Sequence, residues 1–274
     1  MRTYSIVFLD IDGTLLNSRH QVMPCTRDLL KVLHGQGVPI VLCSARPPEG
    51  VNLVAEQIGL TGPRACYNGG LIFDENSAIL RDVGIDISLA MEFRRFVRQR
   101  FPEVVVSAYL YNIWLAEDPR HPLIRQEAEI SGCAPLMGTA EQVAGAVPHI
   151  HKLLCMGDAM QIRALQKAAK EQFPQLMALR SKATYLEIIP QESTKGSAAL
   201  ALLDHYGLSA QQAVAFGDSD VDVDMLQCCG LGVAMGNSPR QVREAADHVT
   251  ASNDEEGVYI ALNALRLKAP GKAK

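Results

Sequence analysis

The sequence of 274 residues has no long hydrophobic run. Its first apolar segment, Ile6 to Leu9, ends at Asp10 and is too short for the core of a signal peptide. No stretch approaches the roughly 20 apolar residues that a membrane-spanning helix needs. We therefore expect a cytoplasmic protein with no membrane partner.

Paired metal-binding cysteines are also lacking. The chain has seven cysteines, an odd number, and no C-x-x-C pair, so its spacing does not favour a zinc site. Several cysteines lie within apolar runs such as VLCS and KLLC. This placement is typical of reduced, buried thiols in a cytosolic protein.

The sequence has no excess of basic residues. There are 26 Lys and Arg against 30 Asp and Glu, which gives a formal net charge of -4. A mildly acidic chain is a poor candidate for general nucleic-acid binding, so we expect no nucleic-acid partner. The basic segment RRFVRQR at 94–100 is interpreted as the solvent-facing side of a helix. The oligomeric state is left open.

Short apolar runs alternate with longer amphipathic stretches at both ends of the chain. This alternation predicts βαβ units and a parallel sheet with helices on both faces. The predicted strands are YSIVFLD, PIVLCSA, RACYNGGLIFD with a Gly-Gly turn, AVAFGD and GVAMGN. The predicted helical stretches are 23–36, 50–58, 195–206, 221–228 and 239–246.

The middle of the chain has a different pattern. Helical stretches at 88–101 and 159–173 accompany strands at 104–116, 151–157 and 183–190, and a loop with His-Pro and Asp-Pro signals follows the first of these strands. The predicted fold class is therefore α/β, with a Rossmann-like parallel-sheet core and an inserted α+β domain. We place the core at 1–82 and 191–274 and the insertion at 83–190.

Two carboxylates end the first predicted strand, in the segment FLDIDGTL. Asp10 and Asp12 are two residues apart and face the same way in a strand, and Gly13 permits a sharp turn after them. Open α/β sheets place ligands at this carboxyl edge. Two neighbouring anions repel each other unless a cation or a proton lies between them. The alternative is a loop whose aspartates cap the next helix.

A second acidic cluster, GDSDVDVDML, follows the buried run AVAF and contains Asp218, Asp220, Asp222 and Asp224. Carboxylate oxygens suit Mg²⁺. An EF-hand is excluded because Val223 stands where its loop needs glycine and Cys229 where it needs glutamate. The acidic preference of helix N-termini explains one or two of these residues more easily than all four.

Two further segments could contribute to such a site. Ser44 follows the second predicted strand, where its hydroxyl and adjacent backbone N–H groups could hold a phosphate oxygen. Lys195 opens a predicted helix where the middle block ends, and could neutralise a phosphate and a carboxylate together. Taken alone, the serine is an ordinary turn residue and the lysine an ordinary surface residue.

Together these segments resemble the four motifs of the haloacid dehalogenase-like hydrolase superfamily, in the family's order: DIDGT, the Ser44 position, Lys195 and GDSDVD. The segments YNGG, GVAMGN and NDEEGV resemble the Cof-type subfamily, whose members carry a large α/β cap between the second and third motifs. The resemblance covers essentially the whole chain. It implies that 83–190 is a substrate-selecting cap on a catalytic core.

The resemblance implies a magnesium-dependent phosphatase that acts on small phosphorylated metabolites, such as sugar phosphates or phosphorylated cofactors. Asp10 would be the nucleophile that forms an aspartyl-phosphate, and Asp12 the general acid and base. The other implied roles are magnesium binding by Asp10, Asp12 through its backbone carbonyl, Asp218 and Asp222, and phosphate binding by Ile11, Ser44, Ala45 and Lys195. Arg46 and Asn237 are candidate substrate contacts.

Four positions depart from the family pattern. Ser44 and Ala45 stand where threonine and glycine are usual, Gly70 where alanine is usual, and Val221 where the fourth motif usually has asparagine. The loss of the asparagine leaves a weakly active phospho-ligand-binding protein as an alternative. A phosphotransferase or mutase of the same fold is a second alternative.

Overall fold

The computed structural model describes residues 3–271, and its contacts divide the chain into two compact units. The first unit comprises the chain up to Arg46, Val51–Arg81 and the chain from Thr194 onward. The second comprises Pro47–Gly50 and Asp82–Ser193. The sequence-based boundaries are 82/83 and 190/191; residues 1–2 and 272–274 of the predicted core lie outside the described residues.

Eight elements precede the insertion. They are β1 (Thr3–Tyr4), β2 (Ile6–Asp10), α1 (Pro24–Gly35), β3 (Ile40–Cys43), α2 (Pro48–Ile58), β4 (Arg64–Cys66), β5 (Leu71–Phe73) and β6 (Ile79–Asp82). Twelve elements follow up to Pro190. They are β7 (Ile85–Asp86), α3 (Ile87–Arg100), β8 (Val105–Leu110), β9 (Ile113–Ala116), α4 (Pro122–Ser131), β10 (Leu136–Met137), α5 (Ala140–Val143), β11 (His149–Ile150), β12 (Lys152–Met156), α6 (Ala159–Gln172), β13 (Leu176–Lys182) and β14 (Tyr185–Pro190).

Eight α-helices and β-strands complete the described part of the first unit after the insertion. They are α7 (Lys195–His205), β15 (Ala213–Gly217), α8 (Val223–Cys228), β16 (Leu231–Ala234), α9 (Arg240–Ala245), β17 (His248–Val249), α10 (Gly257–Asn263) and β18 (Arg266–Leu267). No helix within residues 3–271 is long and apolar enough to cross a membrane.

An eight-stranded sheet forms the centre of the first unit, in the order β17-β16-β15-β2-β3-β4-β5-β6. The strands from β17 to β4 are parallel, and β5 pairs antiparallel with β4. All five residues of β2 are buried, as expected for a strand that is covered on both faces. One of these faces packs its alternate residues Ile6 and Phe8 against apolar side chains of α7 and α8. The α/β fold class with a parallel-sheet core is confirmed.

A six-stranded sheet forms the centre of the second unit, in the order β10-β9-β8-β12-β14-β13. Its long strands pair antiparallel. One face packs against Phe93 and Val97 of α3 and against Ile162 and Leu165 of α6. Both helices begin at an aspartate that accepts backbone N–H groups of the first turn, Asp86 for α3 and Asp158 for α6. The second unit is therefore an α+β arrangement of its own.

Two details of the second unit differ from the sequence-based prediction. The stretch at 104–116 is a hairpin, β8 and β9, with a turn at Tyr111 where φ is +49°. The His-Pro signal begins a helix and does not mark a loop, because Pro122 occupies the first turn of α4 and the His121 side chain accepts the Leu123 N–H. Proline fits this position because the missing N–H would have no helical partner there.

Candidate active site

The carboxyl ends of three adjacent parallel strands bring the predicted site residues together. Asp10 is the last residue of β2 and pairs with Cys43, the last residue of β3, so Ser44 leaves the sheet at the same edge. On the other side of β2, Leu9 pairs with Phe216 of β15, and Asp218 follows that strand directly. Parallel sheets place ligands at this edge.

Lys195 joins two of the acidic residues. It is the first residue of α7, and its Nζ lies 2.5 Å from Oδ1 of Asp10. The same Nζ donates to Oδ1 of Asp222. All three side chains are buried, with exposed fractions of 3%, 6% and 0% for Lys195, Asp10 and Asp222. A charge buried to this extent is stable only when it is paired.

The pKa values of this pair follow from burial and charge. Burial raises the pKa of the Asp10 carboxyl, and the Lys195 ammonium opposes that rise. Burial alone would lower the pKa of Lys195, but the carboxylates of Asp10 and Asp222 outweigh it and raise that pKa above its usual value. Lys195 is therefore a permanent positive charge beside the Asp10 oxygen.

Asp222 uses both of its carboxylate oxygens within the protein. While Oδ1 accepts from Lys195, Oδ2 accepts from the backbone N–H of Asp218, and from the backbone N–H and hydroxyl of Ser219. Gly217 permits this close packing, since a Cβ there would lie 2.4 Å from the Cβ of Asp222. The geometry makes Asp222 the anchor of both Lys195 and the loop that carries Asp218.

Asp10, Asp218 and Asp222 fit a bound cation. One carboxylate oxygen from each lies within 4.8 Å of the others, and Oδ2 of Asp10 is buried without a hydrogen-bond partner among the described residues. Burial and the charge of Asp222 raise the pKa of Asp218, although Thr14 donates to its Oδ1 at 3.1 Å. An all-oxygen set of closely spaced anions is the set that Mg²⁺ takes.

Asp12 lies apart from this acidic cluster. Its side chain is 49% exposed and forms a two-pronged ion pair with Arg46, from Nε to Oδ2 at 2.8 Å and from Nη2 to Oδ1 at 2.6 Å. Gly13, with φ of +89°, turns the chain after Asp12, and a Cβ at Gly13 would lie 2.5 Å from an oxygen of Asp218. Arg46, predicted as a substrate contact, thus binds the predicted acid and base.

The predicted phosphate-binding residues surround the same strand ends. Ser44 is buried, and its Oγ accepts the backbone N–H of Arg46 at 3.1 Å. Ile11 is buried in the turn that follows β2, where its carbonyl accepts the Leu16 N–H. Ala45 lies between Ser44 and Arg46 in the chain. These positions place hydroxyl and backbone groups near Asp10 at the sheet edge.

Asn237 supports the loop after β2. Its Nδ2 donates to the carbonyl of Gly13 at 2.9 Å, and its Oδ1 accepts the backbone N–H of Asn253 at 3.0 Å. Both ends of the carboxamide therefore have protein partners. The contacts suit a residue that holds the DIDGT turn in place.

Sequence reasoning assigned no role to three residues that support the site. Thr14 binds Asp218 and Ser219 binds Asp222, as described above. Asp224 accepts the backbone N–H of Gly196 at 3.0 Å, at the first turn of the helix that begins with Lys195. Thr14 and Ser219 lie inside the motifs DIDGT and GDSDVD, and Asp224 lies in the acidic segment that continues the second motif. Position in these segments was the available signal. Their partners lie up to 204 residues away in the chain.

A second cluster, in the other unit, consists of Asp82, His149 and His151. Both imidazoles place Nε2 within 2.9 Å of Oδ1 of Asp82. His151 also accepts the Tyr111 backbone N–H at Nδ1, which fixes the tautomer with the proton on Nε2. That tautomer donates to Asp82 and leaves no lone pair on Nε2 for a metal. A structural role for both histidines agrees with this geometry.

The comparisons with known proteins identify the family. A family model described as haloacid dehalogenase-like hydrolase matches residues 7–262. The chain belongs to the haloacid dehalogenase-like hydrolases. The resemblance that its motifs indicated is thereby confirmed.

Relatives match this hydrolase over most of its length. A Haemophilus influenzae protein named "Putative phosphatase" is 34% identical, covering 94% of this chain and 97% of its own. A Bacillus subtilis protein named 5-amino-6-(5-phospho-D-ribitylamino)uracil phosphatase is 26% identical, covering 94% and 97%. A haloacid dehalogenase-like hydrolase from Bacteroides thetaiotaomicron is 27% identical, with a TM-score of 0.86 over 95% of this chain and 99% of its own. The hydrolase is an enzyme of the phosphatase type.

Proposed function

We propose that this hydrolase is a magnesium-dependent phosphatase that transfers the phosphoryl group of a small metabolite to Asp10 and then to water. One observation carries the proposal. Asp10 is buried at the carboxyl end of β2, with Oδ1 held by Lys195 and Oδ2 left without a partner among the described residues. A carboxylate with one oxygen fixed and the other available is suited to attack phosphorus.

Lys195 would interact with both negatively charged groups of the transfer, the Asp10 carboxylate and the phosphoryl group. Its ammonium, held by Asp222, opposes the rise that burial causes in the pKa of Asp10, and it would neutralise the oxygens of the phosphoryl group as that group approaches. Mg²⁺ would be held by Asp10, Asp218 and the Asp12 carbonyl, and when bound it supplies charge neutralisation for a phosphoryl group. We assign Asp222 an orienting role because its oxygens already have donors.

Asp12 would exchange the protons of both half-reactions. It would protonate the leaving oxygen in the first step and take a proton from water in the second. Arg46 would orient its carboxylate through the two-pronged ion pair. The Ser44 hydroxyl and the backbone N–H groups of Ile11 and Ala45 would bind the phosphoryl oxygens. Such positioning is most of what phosphoryl transfer requires from a protein.

The proposed substrates are small phosphorylated metabolites, such as sugar phosphates or phosphorylated cofactors. The name of the Bacillus subtilis relative, which specifies a phosphorylated ribityl compound, supports this class. We further propose that the inserted residues 83–190 act as a cap that selects the substrate. Arg46 and Asn237 would then position the loop after β2 and not contact the substrate, since Arg46 binds Asp12 and Asn237 binds Gly13.

Phosphate release from a generic aryl phosphate tests the chemistry. We would compare the wild type, with Mg²⁺ and with chelator, against Asp10→Asn. We expect release that requires Mg²⁺ and falls to background in Asp10→Asn. Asp220→Asn is the matched control, because this exposed aspartate lies in the same acidic loop and its carboxylate accepts from the exposed Gln241, away from Asp10 and Lys195. Full release by Asp10→Asn would contradict the proposed nucleophile.

The product separates hydrolysis from transfer. Inorganic phosphate from a panel of sugar phosphates supports a phosphatase, whereas an isomerised sugar phosphate would show a mutase. Val221 is the one residue that favours a weakly active phospho-ligand binder, because it removes a polar side chain beside Asp222. Saturable binding of the panel compounds without release of phosphate by the wild type would favour that binder.

A further inference from the structure

The turn between β4 and β5 has an unusual backbone. Tyr67, Asn68 and Gly69 follow one another with φ of 52°, 54° and 95°. Residues other than glycine rarely take positive φ, and two in succession persist only where the surroundings impose them. All three residues are buried, whereas hairpin turns normally lie at the surface. Contacts with neighbouring segments must therefore hold this turn in its left-handed conformation.

One side of the turn binds the Ser44 segment. The backbone N–H of Asn68 donates to the carbonyl of Ser44 at 2.9 Å, and the N–H of Tyr67 donates to the carbonyl of Arg46 at 3.1 Å. The left-handed conformation directs both N–H groups to the same neighbouring segment. The peptide groups around Ala45 are thereby held from one side.

The other side of the turn packs against the start of α7. A Cβ at Gly69 would lie 2.7 Å from the carbonyl oxygen of Thr194 and 2.8 Å from the Cβ of Ala198. Thr194 caps α7 by accepting the Ser197 N–H, and Lys195 is the next residue. The turn therefore touches the first turn of the helix that carries the site lysine.

We propose that Asn68 is a positioning residue of the phosphoryl transfer. Its left-handed conformation lets the segment Tyr67–Gly69, here called the brace, hold the Ser44 segment at a fixed separation from Lys195. The inference rests on the proposed function, in which Ser44 and Lys195 bind the same phosphoryl group. A displacement of about 1 Å between such groups can cost on the order of 100-fold in rate.

The carboxamide oxygen of Asn68 does not hold the brace. Its Oδ1 is buried without a hydrogen-bond partner among the described residues. Asparagine is instead the residue, after glycine, that most readily takes left-handed φ. The position therefore requires a backbone conformation more than a functional group. Glycine should replace asparagine there with little loss, while a β-branched residue should not.

The test compares Asn68→Gly, Asn68→Ala and Asn68→Val with Ser77→Val. Ser77 is the matched control, because it is a non-glycine residue with φ of 63° in an exposed turn of the same unit. We would measure kcat and KM for the aryl phosphate together with Tm. We expect kcat within about twofold of wild type for Asn68→Gly, and a loss of about 10- to 100-fold for Asn68→Val. The kcat of Asn68→Ala should lie between those of the other two variants. This variant keeps the test possible if Asn68→Val does not fold. Ser77→Val should lower Tm and leave kcat unchanged.

Two outcomes would overturn the inference. If Asn68→Val and Ser77→Val both lower Tm while kcat stays at the wild-type value, the turn is merely structural. If Asn68→Gly loses as much kcat as Asn68→Val, the carboxamide matters and not the conformation.

Binding of inorganic phosphate in the presence of Mg²⁺, measured by calorimetry on the same variants, separates this inference from the proposed function. A wild type that binds phosphate but releases none from any substrate would end the hydrolysis proposal. The positioning role of the brace would still be supported if Asn68→Val bound phosphate at least about tenfold more weakly than Asn68→Gly. Equal binding by the two variants would overturn it.

Discussion

Arg46 holds both carboxylate oxygens of Asp12, with Nε 2.8 Å from Oδ2 and Nη2 2.6 Å from Oδ1. A planar guanidinium forms such a pair with a fixed orientation, which a lysine ammonium does not reproduce. Arg46 itself is fixed by backbone contacts, since its N–H donates to Ser44 Oγ and its carbonyl accepts from Tyr67. The orientation of Asp12 is thus linked to the segment after β3 that contains Ser44.

Arg46→Lys tests whether this orientation matters. The variant keeps the positive charge but loses the two-pronged contact, so we expect kcat for phosphate release to fall about tenfold or more while KM changes less. Arg27→Lys is the control, because Arg27 is an exposed arginine of the same unit that pairs with its neighbour Asp28. Wild-type kcat in Arg46→Lys, in an enzyme that Asp12→Asn inactivates, would show that Asp12 needs no such orientation.

Lys195→Met should destabilise the first unit as well as abolish activity. The substitution leaves Asp10 and Asp222 buried without their common cation, and the removal of one partner from a buried ion pair costs about 3–5 kcal/mol. Urea unfolding monitored by circular dichroism measures the change in the free energy of unfolding.

The double variant Lys195→Met with Asp222→Asn is the control for that interpretation. It removes one of the two uncompensated charges, so it should be more stable than Lys195→Met alone. If the double variant were less stable by the full effect of both substitutions, Lys195 and Asp222 would not form an energetically coupled pair.

The strand-end residues of the site could be predicted because their signal is local. A buried apolar run followed by aspartate or serine specifies both the strand and the edge from which the side chain leaves. Asp10, Ser44 and Asp218 were found in this way. Lys195 was assigned through the motif order, because an isolated lysine at a helix start carries no such signal.

The contacts of these residues could not be predicted, because their partners are distant in the chain. The ion pair of Asp12 and Arg46 spans 34 residues and the bond from Lys195 to Asp10 spans 185. The left-handed backbone at Tyr67 was missed for another reason: YNGG indicates a turn, but a tyrosine with positive φ is imposed by tertiary contacts. Helix α4 was missed because proline was taken as a loop signal, although it also favours the first helical turn.

Glu256 precedes α10 and binds the N-terminus of α1. We expect this contact to make the stability of the fold depend on pH. Its carboxylate accepts the backbone N–H groups of Cys25 and Thr26 and the Thr26 hydroxyl, at the N-terminus of α1. Burial alone would raise the pKa of Glu256, but these hydrogen bonds outweigh it and lower that pKa. The folded-state pKa therefore lies below the unfolded value of about 4.3.

Glu256→Gln tests this contribution. A lowered carboxyl pKa stabilises the fold above the unfolded pKa and loses that effect as the pH falls through the folded pKa. We expect the variant to be less stable by about 1 kcal/mol at pH 7. The difference should shrink as the pH falls below about 4.3 and vanish below the folded-state pKa. Urea unfolding at several pH values measures it, with the exposed Glu56→Gln as control. A difference that is constant from pH 7 to pH 3 would show that charge is not involved.

The second unit should become less stable in mild acid, because the folded state keeps His151 unprotonated. It is fully buried, its Nδ1 accepts the Tyr111 N–H at 3.2 Å, and its Nε2 lies 2.9 Å from Oδ1 of Asp82. Burial lowers the pKa of His151 to about 4, although Asp82 acts in the opposite direction. The unfolded chain has a histidine pKa of about 6.5, so between these values the unfolded state binds a proton that the folded state excludes.

The free energy of unfolding should therefore decrease as the pH falls from about 6.5 to about 4, by a total of about 3 kcal/mol from this group, and then level off. His151→Gln removes the titrating group, so its stability should fall less steeply over this range than that of the wild type. The difference in slope should approach about 1.4 kcal/mol per pH unit, the value for one proton. His248→Gln, at an exposed histidine, should keep the wild-type slope. A wild-type slope in His151→Gln would mean that this imidazole takes up its proton without opening the fold.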